Sequence, residues 1–245
     1  MGHFMMLFAP LALMASIQCV SSVSNEEYLK WRSQPDSRGC VTDPTAKMPC
    51  DQAEKECFVN AHNAWRKALM DGVVCQKNGK KFPKHANTVK MVWSDQLAAS
   101  SKALGIVHKD FKCQLKHNKG GNGENIALGQ RSPKAAIAKW YQEFQKFDYL
   151  DLSGYKEGQS HVKLFYDMSN QKVTGHATQG DWATTFQVGC ASDYDCLKSS
   201  VYRTKYVCQY SPAGNILNGN MYQVGEPGSA CPGKRVESGT NFCLH

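Results

Sequence analysis

The twelve residues YVCQYSPAGNIL, Tyr206–Leu217, hold the densest structural information in this chain of 245 residues. Successive side chains of a β-strand point to opposite faces, so Tyr206, Cys208 and Tyr210 share one face of a strand that we predict over Tyr202–Tyr210. Beyond Leu217 the chain becomes rich in glycine and proline, which is typical of a tail without long regular elements.

A second strand is predicted upstream, from Trp182 to Cys190. Apolar and small or polar residues alternate there, the pattern of a half-buried strand. If the two strands are antiparallel neighbours, a disulfide between Cys190 and Cys208 could join them.

Three helices are predicted before these strands. The first begins with a D-x-x-E capping pattern at Asp51 and Glu54 and ends at Gly72. The second is capped by Ser94 and runs through Val107. The third has Ser132 as its cap, followed by proline, and shows the clearest apolar face: Ile137, Trp140, Tyr141, Phe144 and Phe147.

Helices therefore precede strands, with neither βαβ alternation nor an internal repeat. This order predicts an α+β domain in which helices cover a short antiparallel sheet. One such domain with two tethered ends fits the length.

The N-terminal stretch from Phe4 to Ile17 is apolar and uncharged, as in a secretory signal peptide. Cleavage after Cys19 or Ser21 would leave ten cysteines, an even number that indicates five disulfides. Zinc ribbons are the alternative, but they need C-x2-C pairs, and these cysteines are not so spaced. No other apolar run approaches the roughly 18 residues of a membrane span, so we expect a secreted protein that does not span a membrane.

The chain is basic, with 29 Lys and Arg against 21 Asp and Glu and a net charge of +8. The densest cluster is a loop with Lys77, Lys80, Lys81, Lys84 and His85, which suits acidic glycans or anionic lipid headgroups; the alternative is a solvated loop. Nucleic acid is not an expected partner, because the chain lacks a basic stripe interleaved with aromatic residues.

Common hydrolase motifs are missing: the sequence has no G-x-S-x-G and no H-E-x-x-H, and the glycine-rich run at 120–123 is interpreted as a turn. Imidazole and carboxylate groups remain beside the predicted elements. His117 and Glu124 flank the glycine-rich run, Glu143 lies at the margin of the third helix's apolar face, and His176 precedes the Trp182 strand. Their spacing alone would not select these four residues.

Four motifs resemble the CAP superfamily, which comprises cysteine-rich secretory proteins, antigen-five allergens and plant pathogenesis-related group 1 proteins. YVCQYSPAGNIL is similar to the second signature of this family, and GHATQGDW at Gly175–Trp182 to the first. HNAWR at His62–Arg66 is similar to the H-N-x-x-R motif, and GENI at Gly123–Ile126 to G-E-N-[IL]. HATQ and the segment from PAGNIL into VGEPGSAC resemble the nematode branch, the activation-associated secreted or venom-allergen-like proteins.

The resemblance implies a disulfide-stabilised three-layer α/β/α sandwich with a short central antiparallel sheet. We expect a signal peptide at 1–19, an extension at 20–50, the CAP domain at 51–217 and a cysteine-containing tail at 218–245. The resemblance also implies that Cys190 pairs with Cys208 and Cys113 with Cys196, and leaves the other six cysteines open.

It further implies a cavity lined by His117, Glu124, Glu143 and His176. Relatives can hold zinc or another divalent cation there through the imidazoles, although none is required. Imidazole and carboxylate groups are reasonable zinc ligands.

Other motif residues are expected to be structural. His62 lies inside the apolar stripe of the first helix, so we expect a hydrogen-bonded core histidine rather than a ligand. Asn63 and Arg66 are interpreted in the same way. Tyr210 and Asn215 would pack the sheet and organise the turn that follows it.

The first signature departs from its family at Gly180 and Asp181, which replace an aliphatic pair. From the strand parity we expect Asp181 to face solvent. Because Gly180 falls on the apolar parity and lacks a side chain, we expect it to widen the cavity.

The resemblance implies a non-enzymatic secreted protein. Some relatives bind sterols or fatty acids, using an aromatic-bearing loop that would here be Lys146–Gln171, with Phe147, Tyr149, Tyr155, Phe165 and Tyr166. A compatible hypothesis is an immunomodulatory effector that binds a host receptor or an immune-cell surface protein. The alternative is a cation-dependent hydrolase or protease with Glu124 or Glu143 as general base and the metal held by His117 and His176.

Overall fold

The structure, a computed structural model, describes residues 23–50, 54–110, 113–146, 158–163, 175–194, 196 and 204–245. The predicted signal peptide with its cleavage site, the cap residue Asp51 and the five aromatic residues of the Lys146–Gln171 loop lie outside the described residues.

The described helices and strands alternate irregularly along the chain. The α-helices are α1 (Asn25–Trp31), α2 (Glu54–Met70), α3 (Asp95–Ser100), α4 (Pro133–Tyr141) and α5 (Gly175–Asp181). A π-helical segment, Ser101–Val107, continues α3, and a 3-10 segment, Gln142–Lys146, continues α4. The strands are β1 (Val92–Trp93), β2 (Gly123–Leu128), β3 (His161–Lys163), β4 (Gln187–Asp193), β5 (Lys205–Ser211) and β6 (Asn220–Gln223).

The predicted helix starts at Ser94 and Ser132 are confirmed. Each serine hydroxyl accepts a hydrogen bond from the backbone N–H three residues later, which satisfies one of the free donors in the first helical turn. Gly72, where α2 was predicted to end, adopts the left-handed conformation with φ of +65°. The buried apolar face of α4 includes Ile137, Trp140 and Tyr141, as predicted.

Helix α1 was not predicted, because its surroundings are polar and rich in turns. It begins with a reciprocal capping box in which Ser24 and Glu27 bond each other's backbone N–H groups. Tyr28 and Trp31 are its buried residues. Seven residues are too few for a helical period to stand out against the flanking loops.

The central sheet has the order β1-β4-β5-β2. The β2–β5 and β4–β5 pairs are antiparallel, and Cys190 lies directly opposite Cys208 in the β4–β5 register. The two-residue strand β1 pairs with β4 in parallel, so the sheet is mixed at one edge. Strands β3 and β6 form a separate antiparallel pair.

Helices cover both faces of the sheet, which confirms the three-layer architecture. On one face, Phe58 and His62 of α2 meet Tyr206 and Tyr210 of β5, with ring centroids 6.1 and 5.5 Å apart. On the other face, the π-helical segment packs so closely that a Cβ on Gly105 would lie 2.7 Å from the methyl groups of Val207. Strand β5 is therefore buried on both faces.

The predicted strand over Trp182–Cys190 is wrong in its first half. Residues 175–181 form α5, and β4 begins only at Gln187. The guanidinium of Arg66 explains the difference, because it donates to carbonyl oxygens along this segment: Gly180, Trp182, Ala183 and Thr185, together with Val89. Carbonyl groups bound to Arg66 are not available for a strand ladder.

Both expectations for the departures in the first signature are also wrong. Asp181 is fully buried rather than facing solvent. Gly180 does not widen the cavity, because the ring and hydroxyl of Tyr141 fill its space, and a Cβ there would lie 2.7 Å from them. The Tyr141 hydroxyl donates to the Gly180 carbonyl at 2.6 Å. Strand parity failed in both cases because the segment is a helix.

Five disulfides join all ten cysteines outside the N-terminal stretch. The two pairs implied by the family resemblance, Cys190–Cys208 and Cys113–Cys196, are formed. The remaining pairs are Cys40–Cys75, Cys50–Cys57 and Cys231–Cys243. In the part of the chain that the structure describes, no helix is both long enough and apolar enough to cross a membrane.

Candidate functional site

The four residues of the predicted cavity come together as two histidine–glutamate pairs. His117 Nδ1 lies 3.1 Å from Glu124 Oε1, and His176 Nδ1 lies 2.7 Å from Glu143 Oε1. The two imidazole centroids are 6.5 Å apart. Residues from a loop, from β2, from the 3-10 segment after α4 and from α5 thus meet at one place.

Strand β2 holds Glu124 in a dense set of hydrogen bonds. Asn118 donates to its carboxylate through both the backbone N–H, at 3.0 Å, and the side-chain amide. Gln209, its register partner on β5, donates at 3.2 Å. Burial raises the pKa of Glu124, but the hydrogen bonds from His117, Asn118 and Gln209 together lower it below its ordinary value. Glu124 is therefore an anchored carboxylate that keeps its charge.

Helix α5 and the segment after α4 position the second pair. The Glu143 carboxylate also accepts the backbone N–H of Ala177 at 3.2 Å, in the first turn of α5. The indole of Trp140 stacks on the His176 ring at 6.1 Å with an interplanar angle of 18°. Stacking and hydrogen bonding together fix the plane of the His176 imidazole.

The pairing leaves the Nε2 atom of each histidine as the atom that can bind a ligand. An ionised carboxylate only accepts hydrogen bonds, so the Nδ1 atom of each histidine is the protonated nitrogen and donates a hydrogen bond to its glutamate. In a neutral imidazole the other nitrogen then has a free lone pair. A carboxylate behind the imidazole is the usual arrangement around histidines that bind zinc.

The donor chemistry fits a zinc ion held by the two imidazoles, with the remaining positions left to water or an added ligand. No group of three or more His, Cys, Asp or Glu side chains within the described ranges is placed to hold a metal ion. Each glutamate contacts the Nδ1 side of its imidazole.

A hydrogen-bonded chain connects the cavity to α2. The Asn125 side chain donates both to the His176 carbonyl, at 2.9 Å, and to the Tyr210 hydroxyl, at 3.1 Å. The Tyr210 hydroxyl lies 2.9 Å from His62 Nε2, and His62 Nδ1 lies 2.7 Å from the Phe58 carbonyl. The carbonyl can only accept, so His62 Nδ1 donates and Nε2 accepts from Tyr210. His62 is completely buried and supports the cavity from behind.

Asn63 and Arg66 lie in the core as well. The Asn63 side chain exchanges two hydrogen bonds of 2.9 Å with the backbone of Met91, and Arg66 holds the segment after α5. Neither Asn63 nor Arg66 forms a hydrogen bond with a residue of the two histidine–glutamate pairs.

Asn215 fixes α5 from outside. It has a φ of +56°, a conformation that asparagine tolerates better than most residues. Its side chain donates to the Gly175 carbonyl at 2.8 Å and accepts from the Thr178 hydroxyl at 2.6 Å. The turn after β5 therefore secures the helix that carries His176.

An apolar pocket adjoins the second pair. It has a volume of about 390 Å³. Its apolar wall is formed by Leu115, Ile126, Ala127, Leu128 and Trp140. Its polar lining residues are Gln130, Lys139, Glu143 and His176. Mostly apolar pockets of this size with a few polar groups are typical of small-molecule sites.

The sequence analysis missed several residues that shape the site. Asn125, Asn118 and Trp140 were not assigned to it, although Asn125 lies within the quoted GENI motif. Its neighbour Glu124 has the opposite strand parity, so the two side chains point to different faces of the sheet. That parity could have assigned Asn125 to the face covered by α2 and α5. No sequence signal marks Asn118.

The chain is similar to known proteins and to solved structures. No protein-family model matches it. The chain is 32% identical over 215 residues to human GLIPR1-like protein 1, covering 83% of this chain and 73% of that protein. It is 29% identical over 194 residues to CRISP/Allergen/PR-1 of Trittame loki, covering 73% of this chain and 43% of that protein. It is 28% identical over 207 residues to the Ancylostoma secreted protein of Ancylostoma caninum, covering 77% of this chain and 43% of that protein. The chain thus spans under half the length of the last two.

Solved structures of venom-allergen-like and nematode secreted proteins are also similar to this chain. The structure of BmVAL-1 matches with a TM-score of 0.64 and 28% identity over 78% of this chain and 94% of that chain. The crystal structure of NaASP2 with Zn²⁺ matches with a TM-score of 0.59 and 25% identity over 80% of this chain and 98% of that chain.

Proposed function

Because this chain belongs to the CAP superfamily, we propose that it is an extracellular binding protein rather than an enzyme. In this proposal the His–Glu cavity takes a divalent cation, and the apolar pocket beside it takes a lipid such as a fatty acid or a sterol. Five disulfides support an oxidising, extracellular location.

One observation carries the proposal: the Glu143–His176 pair lines a mostly apolar pocket. An amphipathic molecule needs such a combination, since its apolar part leaves water while its polar head finds charged or hydrogen-bonding groups. His117 and His176 would hold the cation through their Nε2 atoms. A bound cation would add positive charge beside the polar residues that line the pocket.

The state of the carboxylates supports binding over hydrolysis. A general base works best when its pKa is close to the working pH, whereas the pKa of Glu124 is lowered and its oxygens accept several hydrogen bonds. Glu143 is engaged by His176 and by the backbone of α5. Both carboxylates thus serve better as anchors than as acceptors of a substrate proton.

Native mass spectrometry of the secreted protein tests the cation part of the proposal. We expect a zinc adduct that disappears in the double variant His117→Ala and His176→Ala. The matched control is the double variant His108→Ala and His161→Ala, which removes two histidines away from the pairs. Zinc retained by the first variant, or lost equally in both, contradicts the assignment.

The lipid part has its own pair of variants. Leu115 lines the pocket and Val107 does not, and each is 65% exposed. With a panel of fatty acids and sterols, Leu115→Asp should lose the lipid adduct, while Val107→Asp should keep it. If the wild-type protein takes up no lipid from the panel, the lipid part of the proposal is wrong and the cation part is unaffected.

A further inference from the structure

Two loops separated in sequence meet to form a cleft that is lined by Arg38 and Lys77, and Lys80 and Lys81 follow on the second loop. We call the cleft with these four cationic residues the basic cleft. The loops are residues 36–42 and 75–81, and the Cys40–Cys75 disulfide joins them. The second loop is closed by an isolated β-bridge between Cys75 and Lys81 and by a 2.8 Å hydrogen bond from Gln76 N to Lys80 O. The cleft between the loops has a volume of about 150 Å³.

A glycine in each loop allows the cationic groups to converge. Gly39 and Gly79 have φ values of +75° and +81°, which favour glycine. Lys81 Nζ lies 3.8 Å from the Cβ position of Gly39, and Arg38 Nη1 lies 3.6 Å from that of Gly79. Each loop thus places a cationic group against the glycine of the other, and Lys77 lines the cleft between them.

The charges of the basic cleft are only partly neutralised. Asp36 binds Arg38 through Nε at 2.9 Å and Nη2 at 2.6 Å, which holds the guanidinium in place. Lys77, Lys80 and Lys81 are exposed and form no ion pair with an acidic residue of the described segments. Three positive charges therefore remain on a surface that a disulfide keeps ordered, and they are available to an anion.

The remaining lining of the cleft is mixed. It comprises the polar residues Thr42, Gln76 and Gln145 together with Val41 and the Cys40–Cys75 disulfide. Gln145 donates to the Thr42 carbonyl at 2.7 Å. Within the described residues, no large exposed apolar side chain belongs to either loop. Peripheral membrane proteins usually insert apolar side chains beside their basic residues, so these loops suit a hydrated polyanion better than a bilayer.

From this arrangement we propose that the basic cleft is a binding site for an extracellular polyanionic glycan, whose sulfate or carboxylate groups contact Lys77, Lys80 and Lys81. The site shares no residue with the His–Glu cavity or the apolar pocket, and it goes beyond the function proposed above. Arg38, held by Asp36, borders the site.

Binding to immobilised heparin at 0.15 M NaCl tests the proposal. The triple variant Lys77→Gln, Lys80→Gln and Lys81→Gln should bind about tenfold or more weakly, since it removes the three cationic groups that contact the glycan. The control is Lys102→Gln, Lys109→Gln and Lys119→Gln, which removes the same charge at exposed positions outside the cleft. It should keep at least half of the wild-type affinity, and EDTA should not alter binding.

Three results would overturn the proposal. The wild-type protein could fail to bind heparin, or the two triple variants could lose affinity equally, which would reduce the effect to overall charge. Thirdly, the protein could bind phosphatidylserine vesicles at the same salt concentration while ignoring heparin, which would assign the cleft to membranes. Equal melting temperatures of the three proteins would show that a selective loss does not come from unfolding.

Discussion

Asp181 is an unusual side chain for a protein core. It is completely buried, and within the described residues neither of its carboxylate oxygens has a hydrogen-bond partner. His85 Nδ1 lies 3.6 Å from its Oδ1. Burial raises the pKa of Asp181 well above its ordinary value, although Arg66 opposes this. Burial, assisted by Arg66, lowers the pKa of His85. Burial thus favours the neutral form of both groups.

Replacing Asp181 with an apolar residue should therefore stabilise the protein. The pKa of Asp181 is higher in the folded protein than in the unfolded chain, so as the pH rises the unfolded chain loses the proton first. The free energy of unfolding therefore falls as the pH rises. We expect Asp181→Val to raise the free energy of unfolding at pH 7 by about 1–3 kcal/mol, and by less near pH 4. Urea unfolding at both pH values measures this. A loss of stability at pH 7 would mean that an ionised Asp181 balances Arg66.

His62 should make the protein sensitive to acid. Burial lowers its pKa from 6.5 to about 4, against the opposing hydrogen bond to the Phe58 carbonyl and with a smaller contribution from Arg66. Below pH 6.5 the unfolded chain takes up a proton that the folded protein refuses, so stability falls from pH 6.5 towards pH 4. The full effect is roughly 3 kcal/mol, at about 1.36 kcal/mol per pKa unit.

Variants can isolate this contribution from those of other ionisable groups. Between pH 6.5 and 4.5 the unfolding free energy should fall less in His62→Gln than in the wild type. His108→Gln, at a half-exposed position, should follow the wild-type profile. Identical pH profiles for all three proteins would contradict the role of His62.

Helix α5 depends on contacts from other elements. It has seven residues, fewer than an isolated helix needs for stability in water. Asn215 bonds both Gly175 and Thr178, Glu143 accepts from Ala177, and Arg66 holds the carbonyl of Gly180. Since His176 lies on this helix, the position of its imidazole follows from these tertiary contacts.

Asn215→Ala should therefore weaken both the fold and the cavity. Asn218 has a similar φ of +59° and is exposed, so Asn218→Ala is a control with comparable backbone strain. We expect the free energy of unfolding to fall by about 1–2 kcal/mol more for Asn215→Ala than for Asn218→Ala, because hydrogen bonds are lost. Zinc affinity measured by calorimetry should fall only in the first variant. Equal zinc affinities would show that the side-chain bonds do not position His176.

The segment after α5 shows where prediction from sequence failed. Residues 182–190 alternate in polarity as a strand would, but Arg66, more than a hundred residues earlier, binds the carbonyls of Trp182 and Thr185 that a strand would need. Helix α4 and the start of α3 were predictable, because caps and apolar spacing are local signals. The four cavity residues could be assigned only through motif resemblance, since the contacts between them join four separate segments.

Disulfides connect the parts of the fold, and their loops differ in length. Cys40–Cys75 closes a separation of 35 residues and Cys50–Cys57 one of 7. Chain-entropy reasoning predicts a loss of about 4 kcal/mol for Cys40→Ser with Cys75→Ser, against about 2 kcal/mol for Cys50→Ser with Cys57→Ser. Chemical unfolding of the two double variants measures this difference.

The same two variants also link stability to the basic cleft. Loss of Cys40–Cys75 releases the two loops that carry the cationic groups, so we expect weaker heparin binding with unchanged zinc binding. Loss of Cys50–Cys57 should leave both unchanged in protein that remains folded. Undiminished heparin affinity without the Cys40–Cys75 bond would mean that an ordered cleft is not needed.

Gln179 connects three of the motifs that were quoted separately from the sequence. Its side-chain oxygen occupies the space where a Cβ on Gly123 would lie, 2.0 Å away, and accepts the backbone N–H of Gly214 at 2.9 Å. A side chain at position 123 would therefore displace the Gln179 amide and break the hydrogen bond that it accepts from Gly214. A substitution at position 123 thus disturbs all three motifs. Among descendants that otherwise differ at most positions, the three motifs should therefore persist together or change together.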